Sequence, residues 1–232
     1  MTINVAEVSR FMIAPVYACP MARMVPVFLC PDKKRKIVVF GGGDVALRKC
    51  RQFDGFRIMV VAERIVSGIR EVCDEVVCER FDPSDISAYI NGAFIAVAAT
   101  DSKELNAAIA ASAKAAGILV NSAHGGGDVL LPSSVRKNGY TVSVSSEGSV
   151  PAFPPYVAKK IDEFLGDEYD LMLDLLKEIR KEIRTRVKEQ SDRAKLLADI
   201  LNDDDIWHML EVKDTDGALD AAERIEKTYE SL

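Results

Sequence analysis

No stretch of this chain is free of charge for long. The longest uncharged run is the 15 residues from 86 to 100, and it includes Asn91 and Gly92. A membrane-spanning helix needs roughly 20 mainly apolar residues, so no span is predicted. The first segment also lacks the basic start and apolar run of a secretory leader. Cysteine is sparse and unpaired: of five, none stands in a C-x-x-C motif. A disulfide framework or zinc site is therefore not expected, and reduced thiols in a cytoplasm are. There are only two histidines, with no H-E-x-x-H, nucleophile elbow or His/Cys cluster, which leaves hydrolase chemistry without a foothold. An excess of basic charge is missing too. Lys and Arg number 30 against 36 Asp and Glu, a net charge of −6. Phosphate neutralisation supplies most non-specific affinity for nucleic acid, so nucleic acid is not an expected partner.

What is present is apolar content, 48% of 232 residues, enough for one large domain or two small ones. Charge is uneven. Residues 167–232 hold 19 acidic and 11 basic side chains, and residues 1–166 hold 17 and 19. The front part could accept an anionic small molecule.

Residues 1–23 show no sustained period, and are expected to be a disordered extension or to precede the true start. A cleaner pattern begins at Met24. Residues 25–29 read as a strand. Residues 36–40 (K-I-V-V-F) form a strong buried strand, rich in β-branched side chains. A helix at 44–53 follows, then a strand at 57–62, a helix near 65–73, a strand at 75–79, a helix at 83–90 and a strand at 93–99. A small-residue helix at 102–116 ends at Gly117, and a strand at 118–121 closes the series. Near-continuous apolar strands alternating with helices predict a Rossmann-like, doubly wound parallel sheet of the α/β class over residues 24–124. Residues 125–166 read as a small α+β segment, with strands at 129–131 and 140–145 around a basic turn and a helix at 156–165. Residues 167–232 read as an all-helical tail. Met172, Leu176, Ile179, Ile183 and Val187 form its first apolar stripe, further helices are expected at 196–201, 206–212 and 219–229, and Asp203 to Asp205 suit a helix start.

The motif G-G-G-D at Gly41, Gly42, Gly43 and Asp44 lies between a predicted strand and a predicted helix. With Val45 and Ala46 it satisfies G-x-G-x-x-A. Gly41 permits a tight turn, Gly43 lets the backbone approach a pyrophosphate, and Ala46 lets helix pack on strand. Glu63, twenty residues after Gly43, can accept from a ribose diol and would repel a 2′-phosphate, favouring NAD over NADP. Pairing with Arg64 is the plain alternative. Thr100 and Asp101 close a strand and either touch the cofactor or cap the next helix. A second G-G-G-D, ending at Asp128, has no helix after it and reads as a flexible loop beside a site. His124, just before it, is a candidate acid, base or ligand, or a loop residue without a role. His208, beside Trp207, reads as structural. Ser143, Ser145, Ser146 and Ser149 crowd a turn, as substrate contacts or as ordinary turn residues.

Taken in order, G-G-G-D-V-A-L-R-K at 41–49, A-A-T-D at 98–101 and V-S-S-E-G-S-V-P at 144–151 resemble the NAD-dependent precorrin-2 dehydrogenases. The resemblance extends to the front half of siroheme synthase and to bifunctional dehydrogenase/ferrochelatases, and M-V-P-V-F-L at 24–29 resembles the usual start. It implies loss of a hydride and a proton from precorrin-2, giving sirohydrochlorin and NADH, and in some members insertion of Fe²⁺ to make siroheme. It also implies a homodimer built through residues 125–166, and a tail that helps close the tetrapyrrole cleft. The family's serine matches Ser146. Its aspartate after the last strand does not appear at the usual place: Asn121 leads to His124, and the next carboxylate is Asp128. Either His124 replaces it, or Asp128 swings in, or that function is weakened. A polycarboxylate substrate calls for cations, for which Arg48, Lys49, Arg136, Lys137 and Lys159 are candidates. An NAD-sensing regulatory module and a non-catalytic tetrapyrrole carrier remain the alternatives.

Overall fold

The structure, a computed structural model, describes residues 24–230, so the expectation for residues 1–23 lies outside the described residues. The chain divides into two compact units. One runs to Pro132 and takes in 146–150; the other comprises 133–145 and the chain from Pro151 onward.

The first unit is a five-stranded parallel sheet of β1 (Lys36–Phe40), β2 (Arg57–Val61), β3 (Glu75–Val77), β4 (Ala93–Ala98) and β5 (Leu119–Ser122). The strand order is β3-β2-β1-β4-β5, with every neighbouring pair parallel. Successive side chains of a strand alternate between faces. Ile37 and Val39 pack with Ile58, Val60, Ile95 and Val97 under Ala46 and Cys50 of α1 (Asp44–Gln52) and Ile69 of α2 (Ile69–Val72). Val38 and Phe40 face the other way, onto Ile86 and Ile90 of α3 (Ile86–Ile90) and Ile109 and Ala113 of α4 (Lys103–Ala115). Both faces are covered, which is why the strands carry almost no polar residues.

Two expected strands are absent. Residues 25–29 are irregular, and Val25, Val27 and Phe28 are exposed. Their alternation with Pro26 mimics a strand, but among the described residues no strand pairs with them. Residues 129–131 are irregular as well: the amides of Asp128 and Val129 turn back to Val120 O, at 2.7 and 3.0 Å. The helix expected near 65–73 shrinks to α2, because the chain first turns through Ser67 and Gly68.

The second unit pairs β6 (Ser133–Arg136) with β7 (Thr141–Val144) as an antiparallel hairpin, against which α5 (Phe153–Phe164) packs. Four further helices, α6 (Asp167–Arg186), α7 (Gln190–Leu201), α8 (Asp204–Glu211) and α9 (Thr215–Glu230), bury a core of their own. Met172, Leu175, Ile179, Ile183 and Val187 supply the stripe from α6 and its end, with Leu176 at its margin. Asp203 caps α8, its carboxylate accepting from Ile206 N at 3.0 Å. No helix among the described residues is long and apolar enough to cross a membrane. Ile183 is fully buried in this core. Ile183→Ala is expected to cost about 2–5 kcal/mol of stability, read as a lowered denaturant midpoint of the full chain.

Candidate functional site

The strand order reverses between β1 and β4, and in open α/β sheets ligands settle in the crevice beyond the strand ends at such a point. The three glycines line it, each for a different reason. Gly41 continues β1, donating to Val61 O at 3.0 Å, and has a φ of 119°. A Cβ there would lie 2.3 Å from Ala99 O, so only glycine lets the end of β1 pass the end of β4. A Cβ on Gly42 would meet Arg64 O at 1.8 Å, and Gly42 O accepts from Val66 N at 2.8 Å. Gly42 therefore seats the loop after β2. Gly43 is different: its φ of −87° suits any residue, and a Cβ would meet nothing within 4 Å. Open space lies where that side chain would be, at the start of a helix with no side-chain cap. The amides of Asp44, Val45 and Ala46 at such a start are free to hold a diphosphate. Ala46 is fully buried against the sheet, as the motif requires. The turn thus fits a dinucleotide. Glu63 is exposed two residues beyond β2, and among the described residues it forms no ion pair with Arg64.

Beyond β4 the chain is tied down by one buried side chain. Asn106, 1% exposed, lies near the start of α4. Its Oδ1 accepts from Thr100 N at 3.0 Å and Thr100 Oγ1 at 2.8 Å, and its Nδ2 donates to Thr100 O at 2.9 Å. The same Nδ2 lies 2.7 Å from His124 Nδ1. Thr100 is thus folded onto Asn106 and Asp101 is exposed. The cap of α4 is Ser102, whose Oγ accepts from Leu105 N at 3.0 Å, rather than Thr100 or Asp101. Sequence reasoning missed Asn106. Its signal was a single amide on the apolar stripe that continues through Ile109, Ala110 and Ala113.

His124 is exposed, its amide 3.3 Å from Ser122 Oγ. Asp128 is held elsewhere. Its carboxylate accepts from Val120 N at 3.3 Å and pairs with Lys114 at 3.5 Å. Lys114 lies in the last turn of α4, and Asn106 near its first. From 106 to 114 the helix rises about 12 Å, so His124 and Asp128 are anchored at opposite ends of that helix. The loop between them does not lead into a helix.

Comparison with known proteins adds to this geometry. An NAD(P)-binding family model matches residues 29–133. A precorrin-2 dehydrogenase from Methanosarcina barkeri is 32% identical over 182 residues, covering 75% of this chain and 81% of that protein. The chain belongs to the precorrin-2 dehydrogenase family. A siroheme synthase from Ectopseudomonas mendocina is 35% identical over 147 residues, 61% of this chain but only 31% of that longer protein. One from Chromobacterium violaceum is 32% identical over 148 residues, again spanning 31% of its length. Among solved structures, "SirC, precorrin-2 dehydrogenase" matches the fold with a TM-score of 0.66 at 22% identity, covering 87% of this chain and all of that one.

In this precorrin-2 dehydrogenase relative the five expected substrate cations have different surroundings. Arg48 and Arg136 are exposed. Lys137 pairs with Asp162 at 2.8 Å, which raises its pKa, and Lys159 lies 3.8 Å from Glu163. Lys49 is turned inward, donating to Asn121 Oδ1, while Asn121 Nδ2 donates to Val129 O at 2.8 Å. Burial, with Arg48 as a secondary repulsion, pulls Lys49 down to about 8. Ser146 Oγ is engaged on both sides by its own turn, donating to Val150 O at 3.0 Å and accepting from Val150 N at 3.2 Å. His208 is exposed on α8, 3.6 Å from Glu211. Among the described residues no group of three or more His, Cys, Asp or Glu could hold a metal ion.

The glycines make separable predictions. Gly42→Ala should destabilise the fold, since the added carbon overlaps backbone. Gly43→Val should melt near the wild-type temperature yet bind NAD⁺ at least about tenfold more weakly by calorimetry, a loss of roughly 1.4 kcal/mol or more. Lys49 predicts a pH dependence. An unfolded lysine keeps its proton to near 10.5, while the folded one loses it near 8. Between those values the unfolded chain binds more protons, so folded stability rises with pH. Urea midpoints measured across that interval should climb in the wild type and stay flatter in Lys49→Met.

Proposed function

We propose that this chain oxidises precorrin-2 to sirohydrochlorin with NAD⁺ as acceptor. The observation that carries the reading is the open position at Gly43, at an uncapped helix start in the crevice between β1 and β4. Gly43 and the amides of Asp44, Val45 and Ala46 take the diphosphate, and Glu63 takes a ribose diol. The chemistry supplied by bound NAD⁺ is that of a two-electron acceptor. Precorrin-2 loses a hydride and a proton, giving sirohydrochlorin, NADH and H⁺. The chain's own part is to orient the macrocycle: Thr100 and His124 lie at the rim of the crevice, and Arg48, exposed in the same unit, meets substrate carboxylates. Asp128 and Ser146 join such a site only after giving up Val120 and Lys114, or Val150. Insertion of Fe²⁺ into sirohydrochlorin is a separate step, with iron as substrate. Homodimerisation belongs to the same reading, supported by Phe153, Tyr156 and Phe164, which α5 leaves exposed along one stripe.

An anaerobic assay with precorrin-2 and NAD⁺ should produce NADH and sirohydrochlorin together. NAD⁺ binding without turnover would point to a sensing module, and sirohydrochlorin binding without NADH to a carrier. Supplying sirohydrochlorin and Fe²⁺ without NAD⁺ tests the iron step, which fails if no siroheme absorbance appears.

A further inference from the structure

Asn106 has only one possible orientation. Thr100 N can only donate, so the side-chain atom 3.0 Å from it is the amide oxygen. Thr100 O can only accept, so the atom 2.9 Å from it is the amide nitrogen. Flipping the amide would break both contacts at once. The nitrogen carries two hydrogens, one on Thr100 O and the other aimed at His124 Nδ1, 2.7 Å away. A ring nitrogen that receives a hydrogen must have its lone pair free. Nδ1 of His124 is therefore unprotonated, and the neutral ring carries its proton on Nε2. Adding a proton at Nδ1 would set N–H against N–H. Glu104, in the first turn of α4, is engaged locally, its carboxylate accepting from Ser102 Oγ at 3.0 Å.

We propose that Asn106 is a positioning residue that locks His124 as an Nε2–H donor. The rim of the crevice then presents a fixed hydrogen-bond donor, and not a base, to an acceptor oxygen of the bound ligand. Three features converge on this. Asn106 is buried, so it cannot swing away into water. It also holds Thr100, whose amide lies 3.1 Å from where a Gly41 Cβ would sit, so the donor is tied to the glycine turn itself. His124 is exposed, which leaves its Nε2 edge accessible. That the oxygen is a carboxylate of precorrin-2 rests on the dehydrogenase reading; the tautomer does not. Under this assignment the proton released on oxidation is not taken by His124 and passes to solvent at the open rim.

The test has two parts, both on the full chain. In a ¹⁵N–¹H multiple-bond spectrum the two histidines are told apart by His208→Gln. His124 should show an unprotonated Nδ1 and a protonated Nε2, with or without ligand. Asn106→Asp replaces the donor by an acceptor, so the proton should move to Nδ1. A protonated Nδ1 in the wild type, or an Asn106→Asp spectrum unchanged from it, overturns the assignment. The second part is steady-state turnover of precorrin-2. Glutamine places an N–H near the position of Nε2 but cannot take up a proton. His124→Ala, which removes the donor, should lower kcat/KM chiefly by raising KM for precorrin-2, and His124→Gln should recover part of that loss, whereas loss of a general base costs on the order of 10²–10⁴-fold in kcat in both variants. A loss of that larger size would make His124 the base and overturn the donor role. Should the wild type fail to oxidise precorrin-2 at all, the functional reading falls while the spectrum still decides the tautomer.

Discussion

The first unit is organised around a contact that tolerates no side chain. At the end of β1 the backbone passes so close to Ala99 and to Arg64 that a single added carbon at Gly41 or Gly42 would overlap a carbonyl oxygen. This approach draws together the ends of β1, β2 and β4. It leaves the next residue, Gly43, facing open space at a helix start. Two glycines are thus spent on the scaffold and one on the ligand. The crevice lies beyond these three strand ends, at the point where the strand order reverses.

On the β5 side, polar side chains set the geometry. Asn106 joins the end of β4, the start of α4 and the turn after β5 in one group, with all four of its hydrogen-bonding positions used. Asn121 has a similar task on the opposite sheet face, between Lys49 and Val129 O. Buried amides of this kind cost desolvation unless fully satisfied, and when satisfied they define one arrangement among many. Asn106 holds His124 in this way, and Asn121 holds Lys49.

The strands and helices of the sheet were legible in the sequence because burial on both faces leaves β-branched runs that little else explains, as in residues 36–40. The first glycine motif was legible because its spacing answers to a specific steric need. Residues 25–29 and 129–131 were misread for one reason. Short apolar runs have the composition of a strand, but pairing partners are a property of the fold. The chemistry around His124 was half visible. A histidine after the last strand stands out, yet its tautomer depends on Asn106, eighteen residues earlier, which in the sequence is merely one polar letter in an alanine-rich helix. Lys49 stood among the candidate substrate cations, while its partner, Asn121, is 72 residues away. Long-range pairings of this sort leave no local trace.

The return of the chain after His124 has a consequence for assembly. By laying Asp128 and Val129 against Val120, it occupies the outward-facing peptide of the terminal strand, the margin where a foreign strand would otherwise add. A second molecule cannot extend the sheet from that side without displacing the loop. The Asp128 carboxylate caps the other backbone polar group of Val120 by accepting from its N–H, so its departure would free one amide of the margin while the carbonyl stays covered.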